Sequence, residues 1–449
     1  MPKHKKKDRQ SLAGRRSLAP GQGGDAGGAA AGAPDLDDED TDGMSVASIA
    51  GSDVPAQDDA AEGADAETVG DEERLIDMVE RLGEKRAESR IKTLTAMVSL
   101  LRCSVLHLPP TWSHLFTLTS GLERCARKGQ GIERVLAIDA FSLLCLQLDA
   151  DELTQDMAEF KQLLLNILTD KSGAELRVRA AACSALALGT FVSPQTDSGR
   201  LSEMLANFEA IFSASGHKGD GSVPVHSSEV CDLHESAIDA WCLLFTFAGQ
   251  DLVRAALQKQ MRKFTEILES GDVDLRILAG QAIALIYEGA WDTQGEGFRP
   301  PRLPDLKETV HQLSIDGAKS RAKVDRRRQR ANFRDIFAYI TTGEFSNQEV
   351  KLGQSGEVLI LDDWTAKIRY HFFSQVLQQG TNTHMEQNSF VRQVFGLGPP
   401  VLKVPSGGPG GGRMSKTERR CLLQANEKFL KQNRNAQRTK RQLRLSESQ

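Results

Sequence analysis

The side chains best suited to chemistry are cations, and they concentrate near the C-terminal end of the chain. Residues 413–445 hold eleven Lys/Arg and two Glu, and they follow a glycine-rich run at residues 407–412. Ser415 with Glu418 three residues later has the form of a capping box, which predicts that a helix begins there. Basic residues then recur every three or four positions, so they share one face of that helix.

A helix that is basic on one face and tethered by glycines does not bury itself in a core, so it requires an anionic partner. RNA is the leading candidate, because Lys and Arg bind phosphate groups and release counterions. A solvated basic tail or a nuclear-import signal is the alternative. The candidate RNA-binding residues of this segment are Lys416, Arg419, Arg420, Lys428, Lys431, Arg434, Arg438, Lys440, Arg441 and Arg444.

A second basic cluster lies at residues 319–334, which hold eight Lys/Arg and one Asp. The cluster runs directly into an apolar helical stripe that includes Phe333 and Ile336. This order predicts a helix that docks by its apolar residues and exposes its basic start. The residues expected at this exposed start are Arg326, Arg327, Arg328 and Arg330.

No pattern of residues predicts catalysis. The chain lacks the phosphate-binding motifs GxxxxGK[ST] and GxGxxG, the zinc motif HExxH and the nucleophile motif GxSxG. The carboxylate pair Asp362 and Asp363 is better explained as a helix cap than as an acid–base pair. The spacing His226-x4-Cys231-x2-His234 fits no common zinc site. We therefore predict no catalytic residue, no metal, no cofactor and no small-molecule substrate.

Cysteine usage and hydropathy bear on the compartment. The seven cysteines form no CxxC pair, and most lie among Leu and Ala, as expected of small core residues in a reducing compartment. No apolar stretch follows Met1, so no secretory signal is expected. No apolar run reaches the ~18 residues of a membrane span. These features favour a cytoplasmic protein without a membrane partner, with the nucleus as a second location.

Charge is strongly segregated in the N-terminal part, although the whole chain carries a net charge of only −5. Residues 1–16 hold seven Lys/Arg and one Asp, whereas residues 17–73 hold sixteen Asp/Glu and no Lys/Arg. The acidic stretch is rich in Gly, Ala, Ser and Asp and poor in aromatic residues. Residues 1–71 are therefore predicted to be a disordered tail, first basic and then acidic.

Residues 72–312 are predicted to be helical with an internal repeat. The segments SRIKTLTAMVSLL, IERVLAIDAFSLLCL, ELRVRAAACSALALG, LHESAIDAWCLLF and DLRILAGQAIALIYE align at steps of 42–44 residues. One longer step is explained by an inserted polar loop at residues 213–228. The period is typical of armadillo or HEAT repeats, which stack because one helix pair does not bury its own apolar face. We expect an all-α, armadillo/HEAT-like α-solenoid with an extended binding surface.

Two arginines, Arg177 and Arg276, stand at the start of repeat helices. They are candidates for binding a ligand from the solenoid surface. Contacts between neighbouring repeats are the simpler explanation for both.

The composition changes beyond the repeats, and a small, mostly helical domain is predicted at residues 313–402. The run EVLILDDW indicates a short strand that ends in a helix cap. The next helix carries apolar residues every four positions, namely Trp364, Ile368, Phe372 and Val376. One further helix is expected to stop at Gly396. Residues 403–414 are predicted to be a Gly/Pro linker, and residues 415–449 the basic C-terminal helix.

Three runs carry a resemblance to a known family: RAKVDRRRQRANFRDIF, WTAKIRYHFFSQVL and, above all, NSFVRQVFGLGPPV. They resemble the interferon-related developmental regulator family. The layout is similar as well, with a basic N-terminus, an acidic stretch, helical repeats and a final basic segment. The resemblance covers roughly residues 72–445 and is most specific at residues 319–402.

The resemblance implies regulation by binding. Members of the family look like factors that associate with ribosomes and suppress translation, with the terminal helix entering the path of mRNA. Others resemble nuclear co-regulators that bridge transcription factors to histone-deacetylase co-repressor complexes. The first alternative makes the ribosome the partner and the second makes co-repressor proteins the partner. In the first, the residues expected to face rRNA phosphates are Lys431, Arg434, Arg438 and Arg441. The resemblance also implies a second RNA contact on the body of the protein, formed by Arg326, Arg327, Arg328 and Arg330.

Overall fold

The computed structural model describes residues 64–106, 108, 112–148, 155–169, 173–193, 198–294, 298, 303–316, 322–353 and 357–400. The predicted linker at residues 403–414 and the predicted basic helix at residues 415–449 lie outside these ranges. The predicted disordered tail lies outside them up to residue 63, but the first helix begins at Ala64. That helix is held by Asp71, which accepts a hydrogen bond from Ser104 Oγ at 2.7 Å, and by the buried Leu75.

Besides one short 3-10 turn (Ser213–Ser215), twelve α-helices precede the two strands in the described part of the chain. They are α1 (Ala64–Arg81), α2 (Ala87–Cys103), α3 (Leu115–Lys128), α4 (Ile132–Leu144), α5 (Gln155–Thr169), α6 (Leu176–Val192), α7 (Ser198–Phe212), α8 (Ser228–Phe245), α9 (Gln250–Ile267), α10 (Val273–Gln294), α11 (Leu303–Ile315) and α12 (Lys323–Thr342). All five segments aligned in the sequence fall on the even-numbered helices α2 to α10.

The helices stack in pairs. Each even-numbered helix packs against the odd-numbered helix before it and against the next even-numbered helix, from α2 through to α12. The all-α, repeat-based fold class is therefore confirmed. The pair α11–α12 continues the same stacking, so the repeated arrangement extends past residue 312 to Thr342.

Small residues let the stacked helices approach closely. In α6, Ala182, Ala185 and Ala187 are fully buried, and Leu186 and Leu188 fill the space between the helices. The contact of α10 with α12 depends on Gly280 in the same way. A Cβ atom at Gly280 would lie 2.8 Å from Ile336 Cδ1 and 2.9 Å from Phe333, so a larger residue there would push α12 away.

Polar contacts near the starts of the even-numbered helices join neighbouring repeats. Arg90 Nε donates to Glu133 Oε1 at 2.6 Å, from α2 to α4. The buried Arg276 donates from α10 to Gln329 Oε1 of α12, with Nη2 at 2.6 Å. Arg177 lies 3.6 Å from Glu229 of α8. Both arginines that were candidates for ligand binding therefore make contacts between neighbouring repeats.

The chain then forms a hairpin and three short helices, which we call the C-terminal segment (residues 348–400). Its elements are β1 (Gln348–Leu352), β2 (Glu357–Leu361), α13 (Trp364–Leu377), a 3-10 turn (Gln378–Gly380), α14 (Thr381–Gln387) and α15 (Ser389–Val394). The strands are antiparallel, with Val350 opposite Leu359. The predicted cap is confirmed at Asp363, whose Oδ1 accepts a hydrogen bond from the Ala366 amide at 2.6 Å.

The single helix expected before Gly396 is in fact two, α14 and α15, separated at Asn388. Asn388 Oδ1 accepts from the Val391 amide at 3.0 Å and so caps α15. The Asn388 Nδ2 donates to the Leu146 carbonyl at 2.7 Å, just beyond the end of α4. At the break, the Asn388 side chain thus contacts a distant repeat as well as its own helix.

The C-terminal segment lies across the ends of the even-numbered helices. Arg102, near the end of α2, donates to the Val376 carbonyl, and Arg369 of α13 donates to Thr246 Oγ1 at 3.0 Å, just after α8. At the other end, Glu288 of α10 accepts from the Trp364 and Thr365 amides at 2.7 and 2.9 Å. This part of the predicted binding surface is therefore already covered by the chain itself.

The turn that follows α15 is fixed by one buried arginine. Arg392 is 1% exposed and donates to both carboxylate oxygens of Glu357 at 2.9 and 3.0 Å. It also donates to the carbonyls of Gly398 at 2.6 Å and Pro399 at 3.1 Å. The arginine of the run NSFVRQVFGLGPPV therefore has a structural role, because it binds the Gly-Pro turn to strand β2.

Among the helices of the described ranges, none is both long enough and apolar enough to span a bilayer.

Candidate nucleic-acid interface

The described candidate residues lie on α12, which docks by one face. Gln329, Phe333, Ile336 and Ile340 of this helix are buried against its neighbours. Gln329 is 1% exposed and its Nε2 donates to the Leu313 carbonyl at 3.2 Å, while its Oε1 accepts from Arg276. A buried polar side chain with these partners holds α12 in one rotational setting relative to α10 and α11.

The expectation that all four predicted arginines of α12 are exposed is wrong. Only Arg327 is exposed, and Arg326, Arg328 and Arg330 are half-buried. Arg328 forms an ion pair with Asp274 at the start of α10. The physical reason is helical geometry, because four arginines within five residues point in different directions around the helix.

A different set of cations shares the outward face of α12. Lys323, Arg327, Arg330 and Arg334 are spaced by four, three and four residues, which places them on one side of the helix, opposite Ile336. Lys323, Arg327 and Arg334 are exposed, and Arg330 is half-buried among them. We call these four residues the basic face of α12. Sequence reasoning missed Lys323 and Arg334, although the three-and-four spacing was visible.

The acidic residues of α12 lie away from this face. Asp335 forms an ion pair with Lys367 Nζ of α13 at 2.9 Å. Arg328, on the other flank, faces a group of three half-buried carboxylates formed by Glu235, Asp272 and Asp274, whose oxygens lie within 4.8 Å of one another. Burial and the neighbouring acids raise the pKa of Glu235 to about 7, and Arg328 opposes that shift. Arg328 therefore serves the packing of α12 rather than its outward surface.

The histidine and cysteine cluster noted in the sequence has a structural role. His234 Nδ1 lies 2.6 Å from Ser215 Oγ, and its ring packs edge-on against His226 with centroids 5.0 Å apart. Burial lowers the pKa of His234 to about 4. Within the described ranges, one group of three His, Cys, Asp or Glu side chains is close enough to share a metal ion. It consists of the three carboxylates near Arg328, not of the histidines and the cysteine.

The ten basic residues predicted between Lys416 and Arg444 lie outside the described residues. The structure therefore places four of the fourteen predicted RNA contacts and brings only Arg327 and Arg330 of those onto one surface.

Two family models match the chain. One, described as "Interferon-related developmental regulator", matches residues 43–341 and so spans all the helix pairs. The chain belongs to the interferon-related developmental regulator family. A second model of the family, "Interferon-related protein conserved region", matches residues 388–442 and includes the basic positions from Lys416 to Arg441.

Curated relatives of the family agree with this assignment. The chain is 34% identical to Interferon-related developmental regulator 2 of Mus musculus, over 74% of this chain and 74% of that protein. It is 30% identical to Interferon-related developmental regulator 1 of Mus musculus, over 74% and 73%, and of Homo sapiens, over 74% and 72%. These relatives are named as regulators. The sequence-based resemblance to the family is confirmed.

Proposed function

We propose that this family member is a non-enzymatic, ribosome-binding regulator that represses mRNA translation. In this proposal the basic segment at residues 415–445 occupies an RNA-lined site on the mRNA path, and the folded body docks beside it. The ribosome is proposed as the partner because of the family resemblance, and the mode of binding is inferred from the distribution of basic residues.

The observation that carries the proposal is that the chain holds two basic regions well apart in sequence, one of them on the folded body. The basic face of α12 belongs to the folded body and is held in place by buried contacts on its opposite side. The second basic segment follows the Gly/Pro-rich run after residue 400, within the range of the second family model. A rigid surface and a separate basic segment together suit a large, irregular RNA surface better than a single small site.

Electrostatics predicts how this binding responds to salt. Each phosphate contact releases counterions, so affinity falls steeply as salt concentration rises. An α-helix rises 1.5 Å per residue, so some thirty residues of basic helix would reach about 45 Å, which is long enough for an RNA-lined channel.

A cell-free translation reaction tests the proposal. We expect Arg434→Glu, Arg438→Glu and Arg441→Glu together, or removal of residues 413–449, to abolish inhibition of translation. The matched control reverses three exposed charges around the α1–α2 turn, Arg81→Glu, Lys85→Glu and Arg86→Glu. The control protein should inhibit as well as the unaltered chain.

Sedimentation of the endogenous protein through a sucrose gradient gives a second measurement. RNase-sensitive co-migration with ribosomes at physiological salt supports the proposal. RNase-insensitive recovery with chromatin complexes, and no ribosome association, would overturn it in favour of a nuclear co-repressor scaffold.

A further inference from the structure

We infer that the basic face of α12 binds the sugar–phosphate backbone of double-helical RNA. This inference rests on the proposed function and names the kind of RNA that the folded body contacts. It differs from the role of the basic segment at residues 415–445, which concerns a separate site.

The spacing of the cations suits a backbone rather than a point ligand. Lys323, Arg327, Arg330 and Arg334 extend over eleven helical steps, which is roughly 16 Å at 1.5 Å per residue. A line of cations of this length contacts several phosphates in succession. Double-helical RNA is recognised mostly by shape and by backbone contacts, so it requires such a line and no base-reading side chain.

The surface lacks the feature that single-stranded RNA requires. Proteins that bind single strands combine basic residues with exposed aromatic rings on which the bases stack. On α12, Phe333 and Tyr339 are buried. Phe337 is half-buried, and its ring packs against that of His311 in α11 with centroids 5.2 Å apart, so it does not offer a free face on which a base stacks. The two large hydrophobic residues exposed near its start, Ile315 and Val324, are aliphatic.

The basic face is also fixed before any ligand arrives. Asn332 Oδ1 accepts a hydrogen bond from Gln281 Nε2 of α10 at 3.1 Å, and Gln329 joins α12 to both α10 and α11. Phe333 and Ile336 contact the helix beside Gly280, where a Cβ atom would not fit. The cations therefore project from a rigid helix, which lowers the entropic cost of binding an equally regular partner.

Binding of two RNA probes to the full-length protein tests the inference. The probes are a 16-base-pair RNA duplex and one of its strands alone, and affinity is measured across a range of salt concentrations. We expect Arg327→Glu with Arg334→Glu to weaken duplex binding at least tenfold and to reduce the salt slope by about one to two. Arg81→Glu with Arg86→Glu changes the same number of exposed charges elsewhere and should leave duplex binding within twofold.

The same pair of substitutions is then made in the chain that also carries Arg434→Glu, Arg438→Glu and Arg441→Glu, which reduces the contribution of the terminal segment. A further loss of duplex binding there assigns the effect to α12. Unchanged duplex affinity and salt slope in both backgrounds, or a larger loss for the single strand than for the duplex, overturns the inference. A melting temperature within about 2 °C of the unaltered chain verifies that the variants fold.

Failure of this inference is distinguishable from failure of the proposed function. A protein that inhibits translation but binds duplex RNA independently of Arg327 and Arg334 keeps its function and loses the α12 contact. A protein that binds duplex RNA through α12 but never co-sediments with ribosomes loses the proposed function.

Discussion

At the scale of single residues, one buried tryptophan joins the last helix pair to the C-terminal segment. Trp364 is fully buried, and its ring packs edge-on against Tyr339 of α12 and Phe345, with centroids 5.9 and 5.5 Å away. Lys367 Nζ lies 4.7 Å from the centre of the same ring. Aromatic contacts of this kind add to the stabilisation that burial alone provides.

Trp364→Ala should lower the free energy of unfolding by roughly 3–5 kcal/mol, because it removes a large side chain from a closely packed site. Urea denaturation followed by circular dichroism measures this loss. Phe116 is 65% exposed, so Phe116→Ala is the control and should change stability little. A wild-type midpoint for Trp364→Ala would contradict the packing described for this ring.

Another residue-scale feature is the fully buried His384 of α14. Its Nε2 donates to the Leu101 carbonyl at 3.3 Å, and its Nδ1 lies 3.3 Å from the Asn388 Nδ2. Burial lowers the pKa of His384 to about 4. The unfolded chain therefore takes up a proton near pH 6.5 while the folded chain does not, so this stabilisation is lost as pH falls.

The comparison of wild type with His384→Gln isolates this effect, since Gln keeps a donor for the Leu101 carbonyl. Between pH 7 and pH 5 the wild type should lose roughly 2 kcal/mol more stability than the variant. Buried acids such as Glu288, whose pKa burial raises to about 7, act in the opposite direction but contribute equally to both proteins. Parallel pH–stability curves would show that folding does not lower the pKa of His384.

At the scale of elements, the C-terminal segment packs closely against the repeats. Gly380 ends the 3-10 turn after α13, and a Cβ atom on it would overlap the carbonyl of Arg102 at the end of α2. The Arg369 guanidinium lies against two neighbouring rings, 5.4 Å from the centre of Phe191 and 5.2 Å from the centre of Phe247. The segment therefore follows the repeat surface closely over several helix ends.

Gly380→Ala should separate α14 from α2 without unfolding the helix pairs. We expect the amides of α14 and α15 to exchange hydrogen at least tenfold faster, with little change in α6 and α8, in a mass-spectrometric exchange measurement. Gly219→Ala is the matched control, because a Cβ atom there meets nothing within 4 Å. Equal exchange rates in both variants would rule out a close approach at Gly380.

At the scale of the whole described body, the C-terminal segment joins repeats that are not neighbours in the stack. Repeat proteins hold together by contacts between neighbours, so their ends are free to unfold separately. Here Asn388 and His384 bind the ends of α4 and α2, while the start of α13 binds Glu288 of α10. The segment thereby links α2 and α4 with α10, and we expect these helices to unfold together.

Hydrogen exchange in increasing urea tests this coupling. In the unaltered chain the slowest amides of α2 and α10 should share one unfolding free energy and one urea dependence. In the double variant Arg369→Ala with Asn388→Ala, the unfolding free energies of α2 and α10 should differ by more than 1 kcal/mol, because the contacts that link these helices through the C-terminal segment are weakened. The control, Lys92→Ala with Arg254→Ala, alters two exposed side chains and should leave α2 and α10 together.

The sequence by itself determined the helices, their repetition and the family. Apolar residues at helical spacing, with small residues such as Ala182 where helices meet, produce stacked pairs in any arrangement that buries them. The Asp363 cap and the turn at Gly396, whose φ is +62°, followed from local backbone chemistry. These features depend on residues close together in the chain, so the spacing of a few positions was enough to predict them.

Only the tertiary structure decided which cations face outward and which surface is covered. Arg328, expected to be exposed, forms an ion pair with Asp274. Arg276, a candidate for ligand binding, is buried and donates to Gln329. The contacts of Asn388 with Leu146 and of Trp364 with Glu288 join residues 242 and 76 positions apart. Pairings of this kind depend on how the helix pairs stack in space, and no local spacing in the chain encodes that distance.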